Sequence, residues 1–304
     1  MAPRLGLGNS VTANPASGLF GANLFLDNFP NAHGAYSLRK LSSTYTGACF
    51  VIRRTVDNVE ANLHFDTSNT ISFDSVVDNF SSSSSATNLG QFMAASGYAD
   101  ADSLGSVASA RIDSWKDQSG NGRDIATDIA DKQPLLVHNG VIITENSKVA
   151  LDFDEDRLVN EDSSSYAQPT TYVIVVQSDA TSGNDYILDT DSGGGGRQLV
   201  VHSGNKKTLY SSTFAGSTEA SDNDQNLWFT VFDGSSSVLH INGGSNVLTG
   251  SPGTGAQSGL TVGGRKSGTN YWNGRIQEII YYTSDQSGSR SEIELDANSY
   301  YSIY

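Results

Sequence analysis

Between Arg265 and Trp272 the chain sets a cation, an amide and two aromatic rings close together, as Arg265, Asn270, Tyr271 and Trp272. Such a set suits a sugar, because an aromatic face covers the C–H side of the ring while amide and guanidinium groups bond its hydroxyls. Trp272 also has a reading as a core aromatic. Carboxylates gather elsewhere. Asp152, Asp154, Glu155 and Asp156 form the densest acidic run, and Asp117, Asn121 and Asp124 share a Gly-rich stretch. Oxygen ligands of this kind can hold Ca²⁺, although no bidentate Glu follows the second group at the spacing of an EF-hand. The alternatives are a solvated strand end for the first group and a hydrogen-bonded turn for the second. No other cofactor is implied.

Other catalytic constellations are missing from the sequence. His33, His64, His138, His202 and His240 are dispersed with no His-x-x-x-His pair, and there is no Gly-x-Ser-x-Gly elbow. The run from Gly193 to Gly196 lacks the Lys-Ser/Thr ending of a phosphate loop and reads as a turn. Cys49 is alone, so no internal disulfide is expected.

The elements that must position these groups read as strands. Thr171 to Gln177, Asp185 to Thr190, Arg197 to Ser203, Thr208 to Phe214, Leu227 to Asp233 and Ser237 to Gly243 are short β-forming runs separated by Gly, Ser, Asn and Asp. That pattern argues a sandwich rather than an α/β sheet. Cys49 to Arg54 and Ala61 to Phe65 form a hairpin across Asp57-Asn58. Leu260 to Tyr282 reads as two strands around a polar loop, with Asn273-Gly274 as a local hairpin signal. The second of these strands is almost continuously apolar after Glu278, which predicts cover on both faces and a central position. Leu89, Phe92 and Met93 suggest a short helix ending at Gly97. Ser289 and Glu292 have capping-box spacing, and Ile293, Ala297, Tyr300 and Tyr301 share one helical face, predicting a closing helix. Residues 1 to 33 are rich in Gly, Asn, Pro and Ala and read either as an extended arm whose apolar clusters a neighbouring subunit would order or as a disordered leader.

With 304 residues, 33 acidic side chains against 18 basic ones and a net charge of -15, the chain has no concentrated basic surface for a phosphate backbone, so nucleic acid is not an expected partner. A single large β body is the default, since sandwiches often run to about 200–250 residues as one domain. The first residues lack the apolar stretch of a signal peptide, and no run approaches the roughly 18 apolar residues of a membrane span. A soluble protein with no membrane insertion is expected.

Several of these stretches resemble known families. Gly263-Gly264-Arg265, Trp272, Gly274-Arg275-Ile276-Gln277-Glu278 and the helix from Ser287 resemble the close of the concanavalin A-like lectin/glucanase superfamily in its laminin G-like branch. Leu41-Ser42-Ser43, Tyr45, Gly47 and Arg53-Arg54, followed by Asp117-Gln118-Ser119-Gly120-Asn121-Gly122, resemble the opening blocks of the arabinofuranosidase B catalytic domain, blocks that also occur in phage structural proteins. The resemblance implies an all-β, concanavalin A-like β-sandwich (jelly roll) over residues 34–304, with a short C-terminal helix and an N-terminal attachment arm over residues 1–33. In the arabinofuranosidases a Gly-Gly-Asp turn carries the general acid and a Met-Glu strand the nucleophile. Those positions fall on Arg265 and Gln198, and the enzymes' adjacent cysteine pair has no counterpart near Asp185 to Asp189. The resemblance therefore implies a non-catalytic virion protein, a decoration or tail/adhesion component. Its partners would be other virion proteins through the arm and host-surface glycans, and it would form a homo-oligomer in the assembly. A glycoside hydrolase of arabinofuranosidase type and a purely architectural capsid or tail module are the alternatives.

Overall fold

The computed structural model describes residues 23–94, 109–191 and 197–304. In chain order the early strands are β1 (Gly34–Ser37), β2 (Phe50–Arg54), β3 (Glu60–Leu63), β4 (Val77–Asp78), β5 (Ala110–Trp115), β6 (Ile125–Ala126), β7 (Leu135–His138) and β8 (Val141–Ile142). Next come β9 (Thr144–Glu145), β10 (Lys148–Val149), β11 (Leu151–Phe153), β12 (Leu158–Asn160), β13 (Thr170–Ser178), β14 (Asn184–Asp189) and β15 (Leu199–Ser203). The last are β16 (Lys206–Tyr210), β17 (Phe214–Ala220), β18 (Gln225–Phe232), β19 (Val238–Ile241), β20 (Leu260–Val262) and β21 (Gly274–Tyr282). The helices are α1 (Phe25–Asn28), α2 (Leu89–Ala94) and α3 (Arg290–Tyr301).

β21 is central, as its apolar run predicts. It pairs antiparallel with β13 on one side and with β1 and β11 in succession on the other, and β18 and β19 extend this first sheet. The second sheet runs β17, β16, β15, β14, β20, β12, β6, β5, β2, β3 and β4, all antiparallel. β7 pairs with both β5 and β11 and so joins the two sheets along one side. The result is an all-β sandwich.

Side-chain alternation sorts each strand between two cores. Tyr172, Ile174, Trp228, Ile276, Ile279 and Tyr281 point between the sheets against Trp115, Val200, Leu209 and Val262. Val173, Val175, Phe229, Ile280 and Tyr282 point the other way, where Ile293, Ala297 and Tyr301 of α3 and Phe25 of α1 cover them. A register shift between Val175 and Val176 leaves Gln277 as an extra residue on β21, which moves the inward phase from Ile276 to Ile279.

Three local expectations change. Asn273-Gly274 makes no hairpin, because β20 and β21 lie in opposite sheets. Gly274 opens β21 where the backbone passes so close to β13 that a Cβ would sit 2.2 Å from the Gln177 carbonyl oxygen. The run from Thr208 to Phe214 is a hairpin turn between β16 and β17 rather than one strand. Ser289 is the N-cap of α3 but its side chain makes no capping bond, so packing fixes that helix. The hairpin across Asp57-Asn58 forms with Arg53 opposite Glu60, and Asn58 takes φ 58°.

Residues 23–33, assigned by sequence to the arm, lie on the sandwich. Phe25 is 1 % exposed, and the Leu26 N–H donates to the Leu41 carbonyl at 2.7 Å. Residues 1–22 of the arm, the expected helix end at Gly97 and the turn from Gly193 to Gly196 lie outside the described residues. No helix among the described residues is long and apolar enough to cross a membrane.

Candidate functional site

The loop from Gly263 to Trp272 leaves β20 through a close approach. Gly263 has φ 82°, and a Cβ there would meet the Phe153 ring at 2.3 Å and the Asp156 carbonyl oxygen at 2.8 Å. The loop does not present its four singled-out residues together. Trp272 is fully buried, its ring 4.9 Å from that of His202, and belongs to the core between the sheets. Asn270 is a turn residue at φ 53°, donating from Nδ2 to the Asn184 carbonyl at 3.0 Å while its own carbonyl accepts from the Tyr186 N–H. Tyr271 is half-buried beside Gly264, with Lys132 Nζ 4.4 Å from its ring centroid. Arg265 is partly exposed and makes no ion pair among the described residues; its backbone carbonyl accepts from Gly268 and from Arg157 Nη1.

Gln198 faces the sandwich interior. Its Oε1 accepts from Thr170 Oγ1 at 2.7 Å and the Tyr172 hydroxyl at 2.8 Å, and its Nε2 donates to the Gly255 carbonyl at 3.1 Å. The side chains flanking it, Arg197 and Leu199, face outward. On that outer face lies the carboxylate that links the two segments singled out by sequence, Asp189. It takes Arg197 Nε at 3.0 Å and Nη2 at 2.8 Å, and the backbone N–H of Lys266 at 3.0 Å, while being fully buried. Burial works against the charge of Arg197, but the bonds to Asp189 outweigh it and hold the guanidinium above its ordinary pKa.

Asp189 stands in a row that crosses the second sheet. Val159 is opposite Ala126 on one side and Thr261 on the other; Thr261 is opposite Asp189, Asp189 opposite Leu199, Leu199 opposite Tyr210, and Tyr210 opposite Phe214. Directly opposed residues share a face. Their neighbours Ile125, Leu158, Val262, Leu188, Val200 and Leu209 all enter the inner core, so the row lies on the outer face of the sheet, where Thr261, Asp189 and Leu199 are nonetheless covered. Phe214 at its end is 52 % exposed, whereas Thr261 in the middle is 1 % exposed with its Oγ1 unpartnered. Beside Val159 a pocket of about 260 Å³ is walled by Arg157, Glu161, Asp128 and Ile129. Arg157 Nη1 also donates to the Lys266 carbonyl, and Lys266 Nζ is 3.7 Å from Glu161, so the pocket and the loop share a wall.

The candidate Ca²⁺ ligands do other work. Asp117 accepts from the N–H groups of Ala35, Ser119 and Arg123 and from Ser119 Oγ, Asp124 pairs with Lys116, and Asn121 donates to the carbonyls of Ala32 and His33. This loop is a clamp on residues 32–35. In the acidic run, Asp152 pairs with Arg275 across β11 and β21, and Asp156 is 2 % exposed. Burial pushes the Asp156 carboxyl up to about 7, against the Asp154 N–H and the Arg111 charge. Among the described residues no three His, Cys, Asp or Glu side chains converge as metal ligands. Cys49 is buried with its thiol pKa pushed up by that burial. His33 and His202 are pulled down to about 4, chiefly by burial.

Arg157 and Lys132 escaped the sequence reading. Lys132 is remote in the chain, and Arg157 directly follows the acidic run Asp154-Glu155-Asp156, which is the stronger compositional signal.

No protein-family model matches the chain, and no characterised protein matches it in sequence. The fold is similar to solved arabinofuranosidases. One, complexed with arabinofuranosyl-α-1,2-xylobiose, superposes with a TM-score of 0.58 at 15 % identity over 88 % of this chain and 62 % of its own. A GH54 α-L-arabinofuranosidase soaked with a cyclic sulfate inhibitor gives 0.59 at 14 % identity over 90 % and 63 %. A glutamate-to-glutamine mutant of a GH54 enzyme, soaked with 4-nitrophenyl α-L-arabinofuranoside, gives 0.54 at 14 % identity over 90 % and 63 %. The matched region thus falls short of two thirds of those enzymes' length. The likeness is one of fold.

Proposed function

We propose that this protein is a non-catalytic, glycan-binding sandwich carried in a bacteriophage virion, as a decoration or tail/adhesion component attached through its N-terminal arm. The observation that carries the non-catalytic part is the state of the two segments that the arabinofuranosidase resemblance puts at the reaction centre. Hydrolysis by paired carboxyl groups needs them across the scissile bond, about 5–5.5 Å apart for retention or about 6.5–9.5 Å for inversion. Gln198 offers an amide already bonded at both ends, inside the sandwich. Arg265 cannot donate a proton near neutral pH. Asp189, between the segments, is held bidentate by a guanidinium, which favours a fixed anion over a nucleophile.

The glycan part draws support from the outer face of the second sheet, where a pocket walled by Arg157, Glu161, Asp128 and Thr127 offers guanidinium, carboxylate and hydroxyl groups together. Two of the arabinofuranosidases of similar fold were solved with saccharide-based ligands, which makes a saccharide the first ligand class to test here. The virion part rests on the opening-block resemblance and on the composition of the arm.

Purified protein incubated with 4-nitrophenyl α-L-arabinofuranoside should release no nitrophenol above buffer. Turnover abolished by Asp189→Asn would overturn the non-catalytic reading. Deleting residues 1–22, which spares the Phe25 contact with the core, should leave a folded body that no longer joins the particle; normal incorporation would remove the attachment role.

A further inference from the structure

Two stretches that the sequence singles out, Leu41 to Gly47 and Asp117 to Gly122, play no part in the candidate ligand surface described above. They meet in space all the same. Ser42, Thr44 and Tyr45 of the first and Gln118, Ser119 and Gly120 of the second line one cavity of about 230 Å³. Tyr45 also lines a second cavity, of about 160 Å³, with Thr46, Phe65 and Asn69. Its side chain is the partition between the two. We infer that this groove binds a neutral oligosaccharide, one unit in the first cavity and the next across Tyr45; the inference takes its ligand class from the glycan-binding reading above and gives it a site of its own.

Tyr45 is held for that task. Its hydroxyl donates to the Ala48 carbonyl at 2.6 Å, and a Cβ on Gly47 would come within 2.9 Å of the same oxygen, so that end of the ring is committed and a ligand meets aromatic carbon. An aromatic face suits the C–H side of a sugar ring. Leu26 and Pro30 add apolar contact in the first cavity. Gln118 gives that cavity a stiff side: it is 3 % exposed, accepts from the Leu41 N–H at 2.8 Å and donates to the carbonyls of Ser37 and Arg39, so binding need not order it. Polar groups with capacity to spare stand nearer the solvent. Thr44 is exposed, and its hydroxyl has Ser42 Oγ, at 3.0 Å, as its one side-chain partner among the described residues. Asn31 in the first cavity and Asn69 in the second are exposed turn residues at φ 66° and 61°, and their side-chain amides make no bond among the described residues.

Charge sets the ligand class. Among the described residues no charged side chain lines the first cavity, in a chain with 33 acidic and 18 basic ones. Asp27, which reaches Ser42, is already occupied by the N–H groups of Leu24 and Ser43. The second cavity has Lys40 and Asp66 together, which selects neither sign. A neutral polyhydroxyl ligand needs amide, hydroxyl and aromatic groups and no counter-ion, and the first cavity offers that set. Both cavities fall below the roughly 300–1,000 Å³ of a drug-sized site, so a chain of small rings suits them better than one compact ligand.

Amide chemical shifts of the intact, isotope-labelled chain test this with four probes: the neutral trisaccharides of arabinose, xylose and glucose, and trigalacturonate as the charged control. At least one neutral probe should bind, moving the signals of residues 31, 44–46 and 118–120 and leaving those of Asp128, Arg157 and Glu161 in place. Asn31→Gly tolerates the same φ and removes only the amide, so it should weaken that probe about three- to tenfold, the worth of a hydrogen bond, with the melting temperature unchanged. A residue that served the turn alone would give no such loss. Tyr45→Phe, which keeps the ring, should hold most of the affinity, and Tyr45→Ala should lose at least as much as Asn31→Gly. Shifts confined to the Arg157 pocket, tighter binding of trigalacturonate than of every neutral probe, or an affinity indifferent to both Asn31→Gly and Tyr45→Ala would overturn the inference and leave glycan binding standing. Failure of all four probes would remove the glycan reading and the inference with it.

Discussion

Arg39 lays its guanidinium against both oxygens of Glu278, Nε to Oε2 at 2.8 Å and Nη2 to Oε1 at 2.9 Å, at a point where Glu278 is fully buried. Ser37 Oγ donates to the same carboxylate at 2.7 Å and the Tyr301 hydroxyl at 3.2 Å, while Arg39 also reaches Asp296 of α3 at 2.7 Å. The pair therefore fastens β21, the chain beyond β1 and the closing helix. Removing one partner of a buried pair strands the other charge, typically at a cost of about 3–5 kcal/mol. Glu278→Ala leaves Arg39 its Asp296 partner, so it should lower the unfolding free energy in urea by the lower end of that range, about 3 kcal/mol. A change under about 1 kcal/mol, the size of a surface pair, would show that the site is wetter than this packing implies.

The Arg265 to Trp272 loop divides into core and surface, and its variants should divide likewise. Trp272→Ala removes a fully buried indole and should cost about 3–5 kcal/mol. Asn270 holds φ 53°, so Asn270→Ala should cost about 1–2 kcal/mol through backbone strain and Asn270→Gly much less. Chemical denaturation of the three proteins checks the order. An Asn270→Ala protein as stable as its parent would mean that the turn relaxes.

Asp156 predicts a pH signature. Its folded carboxyl is pushed up to about 7 by burial, above the roughly 3.9 of an unfolded Asp. The folded state therefore holds the proton that the unfolded state releases first, so this group's contribution is most favourable below about pH 4 and is lost as pH rises toward 7. Asp156→Asn should remove that loss, gaining on the parent by a few kcal/mol, at most about 4, at pH 8 and little at pH 4. Parallel denaturation curves at both pH values would contradict it.

Much of the fold was legible because it is written in strand-scale patterns. The apolar run after Glu278 could only be covered on both faces, and β21 is flanked by β13, β1 and β11 with α3 above. The hairpin at Asn273-Gly274 was misread because Asn-Gly is a local signal. The glycine there serves a contact with β13 that is distant in sequence. The candidate site was less legible for the same reason. Composition brought Arg265, Asn270, Tyr271 and Trp272 together, but inward or outward direction is set by the register of β14, β15 and β20, which sends Trp272 and Gln198 inward and leaves Asp189 and Arg197 outside. Lys132 and Arg157 reach the loop from β-sheet connections that no local pattern announces.

The glycosidase alternative can be tested by restoring both carboxylates, Gln198→Glu with Arg265→Asp. A glutamate at 198 would find two hydroxyl donors for one oxygen, from Thr170 and Tyr172, but its other oxygen would face the Gly255 carbonyl, which now accepts from the amide at 3.1 Å. Only the protonated acid can donate there, so the folded state should raise this carboxyl's pKa. Stability should then be retained below the ordinary Glu value of about 4.3 and lost as pH rises above it. Because the side chain points between the sheets, the double variant should hydrolyse 4-nitrophenyl α-L-arabinofuranoside no faster than its parent. A carboxylate held between the sheets by Thr170 and Tyr172 does not meet a sugar at the surface. If the double variant turns over substrate and Gln198→Glu alone shows no pH-dependent loss of stability, residue 198 faces the ligand and the inward assignment of that strand is wrong.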